Sequence, residues 1–574
     1  RIIILSSKNI QIGWKNTIYD PEKGINQCTG DTFVDTGVTT DREKNKLIKQ
    51  YYELMAYRSF SNFVNRMIEK DIQSLPEDKK MEGKIQSIRN YFSNRLLIID
   101  EVHNIRDDQG SEMRDTVKTI EDVIKYSSDL KLVLLSATPM YNRSTEIIWI
   151  LNMMLLNDKR PLLNKNDIFE TDGDLTRNGD KLLKEKCRGY VSYLRGENPI
   201  TFPLRIYPSE LKDSNNDNYY NLYDTDDDYS IINSKNHPTL NLVGGNIKDN
   251  FKFLELFGST MKNLQYKVYS KAIENLIENT SDLDLDIRGE MNPILDNIQL
   301  TQITNMVFPV DKDDYIKKMK QGDLSIDEFY GKRGLKNSMN KKGKKYSYKK
   351  SLGPIFDKSN LSKYSSKISS ILNSIDNTEG ITFIYTSYVQ AGVIPLQLAL
   401  EQNGYKKYGG EGILNFPEWS KNAEGGTTKR KPVSYSKLAP KFTQARYIVI
   451  DASINKKALQ DQLKILNSKN NMNGEKIKII IGTVVASEGL DFKRIRSIHI
   501  LDPWLHLNRI EQTIGRGIRF CSHKDLDPDK KNVLIYLHTA ILSDDRESID
   551  TSIYRYAEKK SIQIGTIETI LKRN

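Results

Sequence analysis

Short, nearly continuous apolar runs recur near both ends of the chain. In the first part they are Ile2–Leu5, Leu96–Ile99 and Leu132–Leu135. In the last part they are Ile381–Tyr385, Tyr447–Ile450, Ile477–Ile481, Ile498–Leu501 and Val533–Leu537. Most are rich in β-branched residues and none alternates with polar positions. Such runs suit strands buried on both faces of a parallel sheet. Polar, helix-compatible stretches separate many of them, which predicts two doubly wound α/β lobes. The apolar stretch Glu146–Leu156 reads as a buried helix. From about Asp158 to Leu361 the strand runs fade. Asp213–Asp228 is rich in Asp, Asn and Tyr, Gly331–Lys350 in Lys and Gly with Tyr346 and Tyr348 interleaved, and Gly410–Lys437 carries the basic trio Lys429–Lys431. These three read as insertions or mobile surface segments. The expected organisation is therefore a first doubly wound lobe over 1–157, a partly helical linker or insertion over 158–360, and a second doubly wound lobe over 361–574 with a polar insertion near 404–440.

Composition adds bounds. A length of 574 residues suggests two to four domains. With 38% hydrophobic and 28% charged residues the chain builds real cores yet reads as soluble. No apolar run approaches the roughly 18 residues of a membrane span. The net charge of +11 is compatible with a polyanionic partner. The three cysteines, Cys28, Cys187 and Cys521, are far apart and odd in number, which argues against a disulfide framework. Cys521 and His523 lie close together, but two candidates do not make a four-ligand zinc site.

Three segments carry chemistry. Leu96-Leu97-Ile98-Ile99-Asp100-Glu101-Val102-His103 is a strand that ends in two carboxylates, and ligands bind at the C-terminal edge of open α/β sheets. There Asp100 would hold a Mg²⁺ that bridges nucleotide phosphates and Glu101 would polarise a water. One strand later, Ser136-Ala137-Thr138-Pro139 places small hydroxyls where they can bond the carboxylates and a nearby histidine. In the last lobe, Gly482-Thr483 and Ala486-Ser487-Glu488-Gly489-Leu490-Asp491 follow one strand, and Asp502-Pro503-Trp504 follows the next. Gln512-Thr513-Ile514-Gly515-Arg516-Gly517-Ile518-Arg519 then sets two arginines three apart, which on a helix share one face. Arginines delivered to a phosphate can raise phosphoryl transfer by roughly 10³–10⁵.

Together these segments resemble superfamily 2 helicases, which implies that both lobes are RecA-like. Asp100–His103 resembles their motif II, Ser136–Thr138 motif III, Gly482–Asp491 motif V, and Gln512–Arg519 motif VI. Ile2–Trp14 looks like motif Ia, Tyr57–Phe60 like motif Ib, and Ile381–Ser387 like motif IV. Arg188–Gly196 with Phe202-Pro203, Tyr364–Ile368 and Tyr554–Ile562 are similar to helicases of large nucleocytoplasmic DNA viruses, the group of the poxvirus nucleoside triphosphatase I and the early transcription factor small subunit. The resemblance implies catalytic roles for Asp100, Glu101, Gln512, Arg516 and Arg519, with ATP and Mg²⁺ as cofactors and Asp100 and Glu101 as the metal's carboxylates. It implies nucleotide contacts from His103, Gly489 and Asp491, and coupling through Ser136 and Thr138. Ser6, Ser7, Tyr385, Thr386, Thr483 and Ser487 would touch a DNA or RNA backbone. The implied setting is viral transcription beside a viral RNA polymerase, in the virion and host cytoplasm.

One part of the pattern is missing. The GxGKT-type loop that cradles β- and γ-phosphates is absent from these residues. The Gly343-Lys344 pair follows no strand run and lies between the lobes. In the family that loop precedes motif Ia, so it is expected ahead of Arg1. The rival expectation is a non-catalytic nucleic-acid- or polymerase-binding subunit that keeps the helicase fold.

Overall fold

The computed structural model describes residues 1–8, 10–20, 29, 33, 38, 40–105, 111–193, 201–213, 228–278, 298–321, 325–349, 351–415, 419–421, 427–429, 431–487 and 490–573. It divides into two compact units. Unit 1 comprises 1–194 with 560–574, and unit 2 comprises 195–559.

Unit 1 is built on four parallel strands: β1 (Ile2–Leu5), β2 (Tyr52–Met55), β3 (Leu96–Asp100) and β4 (Lys131–Leu135), in the order β2-β1-β3-β4. The apolar runs are continuous because both faces are covered. Ile3, Leu5, Leu97 and Ile99 pack with Phe60, Val64, Phe92 and Ile120 from the helices Tyr57–Ile72, Lys80–Phe92 and Ser111–Tyr126. Ile4 packs on the opposite face with Ile18, Tyr19, Phe33 and Ile48. Strand β4 pairs only with β3 among the described residues, and Val133 and Leu135 on it stay exposed.

Unit 2 holds a nine-stranded sheet. Its strands are β5 (Leu204–Ile206), β6 (Tyr229–Ile232), β7 (Leu256–Thr260), β10 (Ile381–Tyr385), β11 (Lys406–Lys407), β14 (Arg446–Ile450), β15 (Ile479–Gly482), β16 (Ile495–Ile500) and β17 (Asn532–Ile541). The order is β11-β14-β15-β10-β16-β17-β7-β6, with β5 also on β17. Only the β6–β7 pair in it is antiparallel. Two separate hairpins complete the strands: β8 (Met339–Lys342) with β9 (Lys345–Tyr348), and β12 (Trp419–Lys421) with β13 (Thr427–Lys429). Ile384, Tyr447, Ile479 and Ile481 pack under the helices Ser366–Asn377 and Ile394–Gln402, while Phe383, Ile448, Ile480 and Ile498 build the core of the opposite face.

All eight apolar runs are strands, and two parallel-sheet lobes are present as expected. The division of the middle differs. Residues 158–194 belong to unit 1, and 195–360 belong to unit 2 because β5, β6 and β7 extend its sheet. Residues 560–574, expected in the second lobe, belong to unit 1, where Ile564, Ile567 and Leu571 share a core with Ile147, Ile148 and Leu151. Residues 331–349, read as a mobile loop, form the helix Gly331–Ser338 and the β8–β9 hairpin. Nearly all of the acidic segment after Asp213 lies outside the described residues, as do parts of 410–437 and Cys28.

Candidate active site

Strand β3 delivers Asp100 and Glu101 to the C-terminal edge of the unit 1 sheet. Asp100 is half-buried, and its Oδ2 accepts a hydrogen bond from Trp14 Nε1 at 2.7 Å. The Tyr57 hydroxyl donates to the Asp100 carbonyl. Trp14 and Tyr57 thus fix the carboxylate and its backbone from two neighbouring elements. Glu101 sits in the left-handed region, with φ 52° and ψ 50°. For a residue with a Cβ that conformation costs of order 1–3 kcal/mol. It turns the chain abruptly, and the next residues, Val102 and His103, are buried.

His103 joins the two motifs. Its Nδ1 lies 2.8 Å from Ser136 Oγ and 3.3 Å from Glu101 Oε2. Its ring stacks on Tyr141 at 5.7 Å. Ser136 Oγ also accepts from the Thr138 backbone N–H at 3.0 Å. The structure therefore brings Ser136 and Thr138 to the Asp100–His103 segment, which lies some way before them in sequence. Two adjacent carboxylates offer hard oxygen donors of the kind Mg²⁺ takes. Among the described residues no group of three or more Asp, Glu, His or Cys makes a closed metal cage. An open pair suits an ion whose remaining ligands are phosphate and water.

In unit 2 the glycine at the end of β15 has a steric reason. A Cβ on Gly482 would lie 2.6 Å from the Ala486 Cβ and 2.7 Å from Phe383. The turn after it is closed by the Ala486 N–H on the Thr483 carbonyl at 2.8 Å. Asp491 forms an ion pair with Arg519. The Phe492 N–H donates to the Arg516 carbonyl at 3.1 Å, so this loop and the arginine segment are tied together. Gly489 lies outside the described residues, as does the side chain of Ser487.

The arginines are not on a helix face. The helix Leu507–Ile514 carries Gln512 but ends before Gly515. Arg516 and Arg519 follow in a run of turns, with Arg519 Nε donating back to the Gly515 carbonyl at 3.2 Å. Gly517 explains the change of path. Its Cβ would lie 3.1 Å from Ile495 and Ile498, so the backbone passes close over β16.

The residues expected to touch nucleic acid differ in exposure. Ser6, Tyr385, Thr386 and Thr483 are buried, while Ser7 is half-buried. Thr386 Oγ1 donates to Asp502 Oδ1 at 2.5 Å, and the Ser387 N–H donates to Asp502 Oδ2 at 2.8 Å.

Asp502 was not among the candidate residues. It is 1% exposed and also accepts from Asn305 Nδ2 at 3.1 Å. Burial raises its pKa, against the donors that favour the carboxylate. Behind it lies a fully buried ion pair, Lys367–Asp550 at 2.7 Å, with Thr304 donating to Asp550 at 2.8 Å. Arg509 stacks over the Trp504 ring at 3.8 Å, a second feature the motifs did not announce. The Asp502-Pro503-Trp504 run after a strand was the visible signal.

Residues 407–521 match the helicase conserved C-terminal domain. The chain is 28% identical to a protein of Acanthamoeba polyphaga mimivirus named as an ATP-dependent RNA helicase, over 96% of this chain and 48% of that protein. It is 24% identical to the nucleoside triphosphatase I of Melanoplus sanguinipes entomopoxvirus, over 87% of this chain and 64% of the relative. It is 23% identical to an early transcription factor large subunit homolog of African swine fever virus, over 83% and 39%. That relative is a large subunit, where the sequence motifs suggested the small one. One solved structure, the C-terminal part of an ATPase domain, aligns over 35% of this chain and 54% of that chain at 15% identity, with a TM-score of 0.22 that is too low to bear on the fold. The chain spans about half the length of the first curated relative, 48%. No helix among the described residues is long and apolar enough to cross a membrane. Unit 2 thus contains a segment that matches the helicase C-terminal domain, and nearly the whole chain is similar to viral proteins named as helicases and nucleoside triphosphatases.

Proposed function

We propose that the protein hydrolyses ATP to translocate on, or unwind, DNA or RNA during viral transcription. The observation that carries this reading is the strand-end cluster in which His103 bridges Glu101 and Ser136 beside Asp100. Asp100 and Glu101 would hold Mg²⁺, which supplies charge neutralisation at the β- and γ-phosphates. Trp14 orients the Asp100 carboxylate for that task. Glu101 positions the attacking water, and His103 relays its state to Ser136 and Thr138. Gln512, Arg516 and Arg519 serve the γ-phosphate as charge builds on it, with Asp491 setting the pose of Arg519. A viral RNA polymerase is the partner that the early transcription factor relative suggests, and the virion and host cytoplasm are the corresponding locations.

Glu101→Gln in the natural full-length protein is expected to keep ATP binding and abolish phosphate release. Normal turnover in that variant would sink the assignment. These 574 residues carry no GxGKT-type loop, so this chain alone is expected to bind nucleic acid and turn over ATP slowly. A second reading is a non-catalytic nucleic-acid- or polymerase-binding subunit. Lack of any ATP turnover by the unmodified full-length protein would select it.

A further inference from the structure

Residues 331–349 contain eight lysines and arginines and no acidic residue. They form one anchored piece. In the helix Gly331–Ser338, Leu335, Asn337 and Ser338 are buried, while Lys332, Arg333 and Lys336 are exposed. Gly334 brings this helix close to its support, since a Cβ there would lie 2.8 Å from Phe308. The hairpin that follows turns at Gly343, which has a φ of 61°. Its tyrosines face inward. Tyr346 is 7% exposed, with its N–H on the Ile413 carbonyl at 2.7 Å, and the Tyr348 hydroxyl donates to Gln402 at 2.8 Å. Met339 is buried beside them.

Most of the charges have no acidic partner, and Lys341 Nζ lies 5.3 Å from the centre of the Tyr346 ring. Arg333 pairs with Asp327 at 3.5 Å and Lys345 with Glu411 at 2.9 Å. Lys332, Lys336, Lys341, Lys342 and Lys344 are exposed, and no acidic side chain pairs with them among the described residues. Lys342 lies directly opposite Lys345 across the ladder. Like charges in that position destabilise a hairpin, so the fold gives up local stability to keep this density of charge. The helix also packs on the turn Val389–Val393, which follows Thr386 and Ser387 at the end of β10.

We propose that the helix Gly331–Ser338 and the β8–β9 hairpin form a nucleic-acid contact of unit 2 that binds the phosphate backbone through Lys341, Lys342 and Lys344. This rests on the nucleic-acid reading above and adds a site to it. Nucleic acid fits better than a membrane or a protein. The apolar side chains of the hairpin are turned inward, so no apolar face accompanies the lysines for lipid insertion. No exposed aromatic anchor is present on the hairpin for a protein hot spot. The inward tyrosines are not offered for base stacking, which leaves point charges on phosphates and no reading of sequence.

The test is fluorescence anisotropy with labelled oligothymidylate and with a duplex of equal length, over a range of salt. Replacing Lys341, Lys342 and Lys344 together by Gln is expected to weaken binding about tenfold or more at low salt. The slope of log affinity against log salt should fall by about 2, since each phosphate that a lysine neutralises adds roughly 0.7–0.9 to it. Replacing Lys70, Lys79 and Lys118, exposed lysines of unit 1, by Gln serves as the control for net charge and should change binding far less. Thermal melting of the hairpin variant should be unchanged or raised, since a like-charge pair is relieved. Affinity and slope equal to the unmodified protein would overturn the inference while leaving the nucleic-acid reading intact. An equal loss in the control variant, or a loss seen only on phosphatidylserine vesicles, would overturn it too. If the unmodified protein binds neither nucleic acid, both readings fall.

Discussion

Asp100 and Asp502 occupy equivalent places. Each lies at or just past the C-terminal end of a central parallel strand, one in each unit. Their surroundings are opposite. Asp100 is half-buried and held by one side-chain donor, Trp14, and its neighbour Glu101 is turned by a left-handed backbone. Asp502 is buried and saturated by Thr386, Ser387 and Asn305. A carboxylate proposed to meet a metal and water needs free lone pairs. One that pins loops needs them filled. Position at a strand end is common to both tasks, and the count of internal donors separates them.

That contrast can be broken. Arg516→Ala is expected to slow ATP turnover by about 10³–10⁵-fold in the full-length protein; a near-normal rate would remove the arginine from the chemistry. Next in size, Asp502→Ala should destabilise unit 2 by about 3 kcal/mol, because buried donors lose their acceptor. Asp100→Ala should barely move the melting curve yet abolish turnover. Similar melting of the two variants would erase the distinction. Trp14→Phe removes the donor to Asp100 and is expected to lower turnover about tenfold with little change in stability, a milder version of the same loss. A further effect concerns pH. His499 and His538 are buried side by side, Nδ1 to Nε2 at 2.9 Å, and burial pushes His499 down to about 3 and His538 downward as well. The unfolded chain takes up protons on them below about pH 6.5, where the folded one does not. Stability of unit 2 should therefore fall as pH drops from about 6.5 toward 3, and pH-dependent melting of His499→Gln should show a shallower fall.

The sheets were legible because their strands are buried on both faces, which leaves uninterrupted apolar runs. Strand β2 escaped because Tyr52-Glu53-Leu54-Met55 carries a charge, and Glu53 is there to pair with Arg1 and Arg95. Strands β5–β7 escaped because they are short and sit amid polar loops, and they read as strands only once β17 is beside them. The carboxylate and arginine motifs were visible as residue types at fixed spacing. The burial of Thr386 and Thr483 was not, because a strand-end hydroxyl looks the same in sequence whether it faces a neighbour or the solvent. The hairpin after Ser338 was hidden by its own lysines, since its fold is held by three inward side chains, Met339, Tyr346 and Tyr348.

The attachment of β5–β7 to β17 has a kinetic side. Leu204 waits for Asn532, and the N–H groups of Lys252, Phe253 and Leu254 wait for the Glu558 carboxylate, a partner 306 residues ahead of Lys252. On the ribosome this middle region emerges long before the strand that completes it. At roughly 5–20 residues per second the interval is some tens of seconds. Through that time an unpaired sheet edge is open to other chains, so assembly of unit 2 in the cell is a race between the arrival of β17 and misassociation, and holding the nascent middle region is where a chaperone would matter most.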